Sequence, residues 1–185
     1  MTKYLDWTDK KTCTLFADGA GAFVLQSSEQ APGFLASKLC ADGSYYDAMG
    51  IYAGGARNAI NRFQQPEAVQ KLEFIRKVPS SFNTEQWPQM IADSLKRSGL
   101  TLDDVNQFFF TQLNLSTIKT VMGILGQPIT KAHTIMEKWG YTGSGCIPMA
   151  VDDAVKLGKL TAGDVVVLCA SGGGVALGCL VFRWG

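Results

Sequence analysis

The chain has 185 residues, 46% hydrophobic and 18% charged, and its 17 Lys and Arg against 16 Asp and Glu leave a net charge of +1. That composition excludes intrinsic disorder and leaves no basic excess for a nucleic-acid backbone, and the length fits one domain over residues 1–185 with a sizeable core. A single histidine, His133, rules out a histidine metal cage; five cysteines without Cys-x-x-Cys spacing argue against a zinc ribbon or disulfide framework and for a reducing cytoplasm.

Residues 1–6 contain no apolar signal core. Residues 12–16 and 22–26 read as strand on either side of Asp18-Gly19-Ala20-Gly21, and a further strand over 33–39 follows a turn at Ala31-Pro32. From 42 to 62 the text is Gly-, Tyr- and Ala-rich without a period, an irregular excursion. A helix begins at Asn83, which stands in capping-box spacing to Gln86, carries Trp87, Met90, Ile91 and Leu95 on one face, and ends at Gly99. Residues 105–110 form a buried strand. Residues 116–125 form a helix with Ile118, Met122 and Leu125 aligned, and 149–157 form another with Pro148 in its first turn. The uncharged run 165–182 is long enough to raise the question of a membrane span. Its β-branched halves around Ser171-Gly172-Gly173-Gly174 read instead as two strands and a glycine turn, so no membrane contact is expected. The order is that of a layered α/β domain on a mixed sheet.

Three motifs carry possible chemistry. Asp18-Gly19-Ala20-Gly21 lacks the third glycine and the following helix of a dinucleotide loop, so its glycines read as permitting a bulge or a close backbone approach. In residues 140–148 a glycine-rich turn brings Cys146 to a helix start, where the dipole would lower a thiol pKa. The bland alternative is a small buried hydrophobe. Ser171-Gly172-Gly173-Gly174 can present consecutive N–H groups to an oxyanion, or be a plain turn. His133, beside Lys131 and Thr134, reads as a solvated loop or helix-start residue rather than a catalyst.

Together these segments resemble the C-terminal half of a β-ketoacyl-acyl-carrier-protein synthase III, a thiolase-like acyltransferase. The likeness is carried by residues 5–9 and 15–22 and by Phe110-Thr111-Gln112-Leu113-Asn114, where the family has His-Gln-Ala-Asn. It is carried too by residues 139–148, where the family has Gly-Asn-Thr-Ser-Ala-Ala-Ser-x-Pro, and by the run from Gly158 to Trp184. The resemblance implies an α/β thiolase-like half, a five-stranded mixed sheet between helix layers, with the N-terminal half and its cysteine nucleophile absent. It implies acyl transfer from coenzyme A and decarboxylative condensation with malonyl-acyl-carrier protein, with these thioesters as substrates and no bound cofactor or metal. Thr111 stands at the family's His position, Tyr141 at its Asn position and Gly173 at its oxyanion-hole glycine, and Asn114 matches a residue lining the pantetheine tunnel. Neither Thr nor Tyr replaces an imidazole near neutrality. Two readings follow: the C-terminal part of a synthase that is not competent alone, or a degenerate subunit that shapes a partner's acyl pocket. The implied partners are the missing half or a separate subunit, an acyl-carrier protein and, in the full-length protein, a second copy. A third reading, an independent thiol enzyme built on Cys146, requires that thiol to be activated.

Overall fold

The computed structural model describes residues 1–27, 29, 33–54, 56, 59 and 70–185. The expected turn at Ala31-Pro32 lies outside them, as does much of the irregular excursion. A short helix α1 (Lys10–Cys13) precedes strand β1 (Phe34–Ala41), and two-residue strands β2 (Met49–Gly50) and β3 (Glu73–Phe74) pair with each other. Then come α2 (Phe82–Ser98), β4 (Val105–Phe110), α3 (Leu115–Ile124), α4 (Met136–Trp139), α5 (Cys146–Lys156), β5 (Val165–Gly172) and β6 (Ala176–Arg183).

The main sheet has the order β1-β6-β5-β4, with β4 parallel to β5 and the other pairs antiparallel. It is the mixed α/β sheet expected, but with four strands among the described residues rather than five. Residues 12–16 do not form the strand their composition suggested, because Asp9 captures the local backbone. Its carboxylate accepts from the N–H of Lys11 at 3.0 Å and from the Thr12 hydroxyl at 3.0 Å, which caps α1. Residues 22–26 join no ladder, and Val24 and Leu25 are 96% and 89% exposed. Alternating residues specify a face, yet a strand also needs a partner edge.

The hydrophobic spacing of α2 was legible in the sequence. Trp87, Met90, Ile91 and Leu95 are all buried, and Gly99 closes the helix with φ +69°. The helix starts before Asn83, however. Ser81 is the N-cap, without a side-chain cap bond, so the Asn83–Gln86 spacing does not form a capping box. On β4, Phe108 and Phe110 face α2 and α3 while Phe109 faces α5, which is why three consecutive aromatics are buried. Trp87 stacks on Phe110 at 5.1 Å between ring centroids. Residues 165–182 are the β5–β6 hairpin, and no described helix is long and apolar enough to cross a membrane. Cys169 and Cys179 sit opposite one another across it, both buried as their strand positions predict.

Candidate functional site

The C-terminal end of β4, the turn ahead of α5 and the turn end of the β5–β6 hairpin meet at one pocket of about 440 Å³. Thr111, Tyr141, Ser144, Cys146, Ser171 and Leu177 are among its lining residues. Parallel strands of an α/β sheet bring their carboxyl ends to a common edge, so residues separated by thirty or more positions converge there.

Two glycine motifs make that convergence possible. A Cβ on Gly145 would lie 2.7 Å from the Gly19 carbonyl oxygen, and one on Gly19 would lie 2.8 Å from the Thr142 methyl carbon. The 18–21 loop and the 142–146 turn therefore pack backbone to backbone; of the two uses expected for the 18–21 glycines, a bulge or a close approach, it is the close approach that occurs. Tyr141 is fixed beside them. Its N–H donates to the Leu15 carbonyl at 3.0 Å, its carbonyl accepts from Ala17 at 2.9 Å, and its ring lies 5.4 Å from that of Phe16.

The Thr111 hydroxyl is turned toward the backbone. It accepts from the Ser171 N–H at 3.0 Å and lies 3.4 Å from the Ser171 carbonyl, to which it donates. With its own N–H on the Cys169 carbonyl at 3.2 Å, Thr111 stitches β4 to β5. Burial pushes the Tyr141 phenol up, reinforced by the neighbouring Cys146, so neither residue supplies a base near neutral pH. The structure brings these two positions to one pocket. Gly173 and Asn114 are not among its lining residues. Space for a Cβ at Gly173 is limited by the Met49 methyl at 3.4 Å. The Asn114 side-chain oxygen caps α3, accepting from the N–H of Ser116 at 2.9 Å and of Thr117 at 3.4 Å.

Cys146 reaches the pocket at the first residue of α5, but its thiol is not activated. Burial raises its pKa, and the N–H groups of Gln112, Ile147 and Cys146 itself offset this only in part. The helix-start argument is outweighed by desolvation, which penalises the thiolate. In this environment Cys146 has the character of a small buried hydrophobe rather than of an activated thiol.

His133 is not solvated, contrary to the sequence reading. It is buried, with Nε2 2.8 Å from Asp153 Oδ2, Nδ1 3.0 Å from Lys159 Nζ, and the Phe109 ring edge-on at 6.2 Å. Asp153 also accepts from Lys138 Nζ at 2.9 and 3.0 Å. Burial raises the Asp153 carboxyl, but the hydrogen bonds from Lys138 and His133 overcome this and hold it below the usual carboxylate value. A signal for this cluster was present in the sequence: Asp153 stands among Ala150, Val151 and Ala154 on the apolar face of α5, and a carboxylate there needs a buried partner.

Comparison with known proteins follows the same geometry. Residues 95–184 match the family described as 3-oxoacyl-[acyl-carrier-protein] synthase III C terminal, and residues 1–43 match the one described as 3-oxoacyl-[acyl-carrier-protein] synthase III. The chain is 36% identical over 188 residues to a beta-ketoacyl-[acyl-carrier-protein] synthase III of Syntrophomonas wolfei, covering 100% of this chain and 55% of that protein. It is 35% identical over 185 residues to synthase III 2 of Bacillus subtilis, covering 100% and 56%. The chain thus spans about half the length of the curated relatives it matches. Among solved structures it superposes on the synthase III of Thermus thermophilus with a TM-score of 0.81 at 25% identity, covering 99% of this chain and 56% of that one. The enzyme from Aquifex aeolicus gives 0.79 at 25%, covering 98% and 54%. The fold is thiolase-like.

Proposed function

Because this chain is of the 3-oxoacyl-[acyl-carrier-protein] synthase III type over the portion it spans, we propose that it builds the C-terminal side of the acyl pocket in a synthase III-type condensing enzyme. The reaction is acyl transfer from coenzyme A and condensation with malonyl-acyl-carrier protein, as in fatty-acid synthesis, with thioesters as substrates and no cofactor. The observation that supports it is the convergence of β4, the 140–146 turn and the β5–β6 hairpin on a single pocket lined by Thr111 and Tyr141. In this reading the nucleophile comes from an N-terminal half, on the same polypeptide or on a separate subunit. The complete enzyme acts with an acyl-carrier protein, pairs with a second copy and works in the cytoplasm. In this reading Thr111 and Tyr141 face the reacting carbonyl, and the roles that the resemblance gives Gly173 (oxyanion hole) and Asn114 (pantetheine tunnel) would require the complete pocket to extend past its present lining.

A second reading has a specific observation in its favour. The Thr111 hydroxyl is already satisfied by Ser171, and the Tyr141 phenol titrates above its ordinary range, so neither of these two positions supplies a general base. A pocket-shaping subunit without its own condensing chemistry would have this character. The two readings separate when the chain is assayed together with an N-terminal half that carries the nucleophile. Condensation of an acyl-coenzyme A with malonyl-acyl-carrier protein should be slow with the native chain and faster with the Thr111→His, Tyr141→Asn double variant. Absence of product from both, with the assembly intact, overturns the synthase reading and leaves the pocket-shaping one.

A further inference from the structure

His133 is the only imidazole in the chain, and it lies outside the pocket lining. Its surroundings nonetheless connect it to the pocket at two points. Its N–H donates to the Phe108 carbonyl at 3.2 Å, and its carbonyl accepts from Gln112 Nε2 at 3.3 Å. The buried Gln112 side chain also donates to the Phe110 carbonyl at 3.0 Å and accepts from the Ile135 N–H at 3.0 Å. The Gln112 backbone N–H points to Cys146 Sγ at 3.4 Å, on the pocket wall next to Thr111. The imidazole itself reaches across to Asp153 on α5, the helix whose first residue is Cys146. A closed polar circuit therefore runs from β4 through Gln112 to residues 133–135, through the His133 ring to α5, and back through Cys146 to Gln112.

The hydrogen-bond chemistry of this circuit selects one form of the ring. An ammonium only donates, so Lys159 requires a lone pair on Nδ1; an ionised carboxylate only accepts, so Asp153 accepts a hydrogen bond from Nε2–H. We propose that His133 is a positioning residue for the pocket, an imidazole held as the Nε2–H tautomer between Asp153 and Lys159 that fixes Gln112 and the start of α5 behind Thr111 and Cys146. The inference deepens the pocket reading above, but its test needs no turnover, so its failure and the failure of the condensing activity are separate results.

The test has two arms on the full chain. Because there is one histidine, its ring nitrogens are assigned without ambiguity by ¹⁵N-detected correlation spectra near neutral pH. Nδ1 should show the shift of an unprotonated nitrogen and Nε2 that of a protonated one. A protonated Nδ1 with a bare Nε2 overturns the proposal. In the second arm, thiol labelling is followed peptide by peptide by mass spectrometry for His133→Leu and His133→Gln. A glutamine can donate its amide N–H to Asp153 and offer its oxygen to Lys159, whereas leucine can do neither.

His133→Leu should speed labelling of Cys146 by about tenfold or more, as expected for a local opening, while the core cysteines Cys169 and Cys179 stay at the native rate. His133→Gln should stay within about twofold of the native chain at Cys146. Equal acceleration of all three cysteines in His133→Leu means general destabilisation and overturns the positioning role, as does no change at Cys146. If His133→Leu does not fold, the glutamine variant and a His133→Asn variant, too short to span both partners, decide: Cys146 should stay within about twofold of the native rate in His133→Gln and be labelled about tenfold faster in His133→Asn, with Cys169 and Cys179 unchanged in both. Equal rates for glutamine and asparagine overturn the proposal.

Discussion

The two faces of the main sheet are built differently. The face under α2 and α3 is closed and almost wholly apolar: Trp87, Ile91, Phe108, Phe110, Ile118, Val167 and Val181 are each 1% exposed or less. The face under α5 is covered over β4 and β5 by Phe109, Val166, Ala150 and Ala154, but toward β1 and β6 it opens into a groove lined by Leu39, Ile147, Pro148 and Leu180. Polar side chains are threaded through this second face, with His133, Asp153 and Gln112 all buried there. The closed face supplies stability through area and close packing; the open face spends hydrophobic continuity on a pocket and on the polar circuit behind it.

The contrast sets the size of mutational effects. On the closed face, Trp87→Ala removes the ring stacked on Phe110 and leaves a cavity, and should lower unfolding free energy by about 3–5 kcal/mol in urea titration. A loss under 1 kcal/mol would mean that the α2 face is not the main store of stability. On the polar side, Asp153→Asn should cost about 2–3 kcal/mol at pH 7, since it strips Lys138 and His133 of a charged partner. Its pH dependence has a definite sign. The folded Asp153 carboxyl lies below its ordinary value, so its contribution is complete above about pH 4 and disappears as pH falls through the folded value. Native and variant stability curves should therefore converge in acid. Convergence above pH 6 would contradict the ion-pair assignment. The smallest effect belongs to the open groove. Leu39 is 83% exposed, so Leu39→Ser should change stability by less than about 0.5 kcal/mol while making the chain less prone to self-association on a sizing column. A large loss of stability would show that the groove is already filled.

Periodicity by itself determined most of the elements. The burial of Trp87, Met90, Ile91 and Leu95 on α2, the β4 strand and the β5–β6 hairpin follow from local spacing, because each buries a face that its own residues define. That the glycines of residues 18–21 admit a close approach was readable because a missing Cβ is a local property, but that the 142–146 turn is what approaches them was decided by the tertiary structure. Local spacing failed where a side chain redirected the backbone: Asp9 captures residues 10–13 as a helix turn, and Ser81 rather than the Asn83–Gln86 pair marks the start of α2. The site was legible only in part. Thr111 and Tyr141 line one pocket while Gly173 and Asn114 do not, and only the tertiary structure decided that the Thr111 hydroxyl is spent on Ser171 and that Asn114 caps α3. It also decided that burial raises the Cys146 thiol where a helix start alone would lower it. His133 shows the limit most plainly. Its partners Asp153 and Lys159 lie 20 and 26 residues away along the chain, and hydrogen bonding and desolvation depend on what surrounds a group in space.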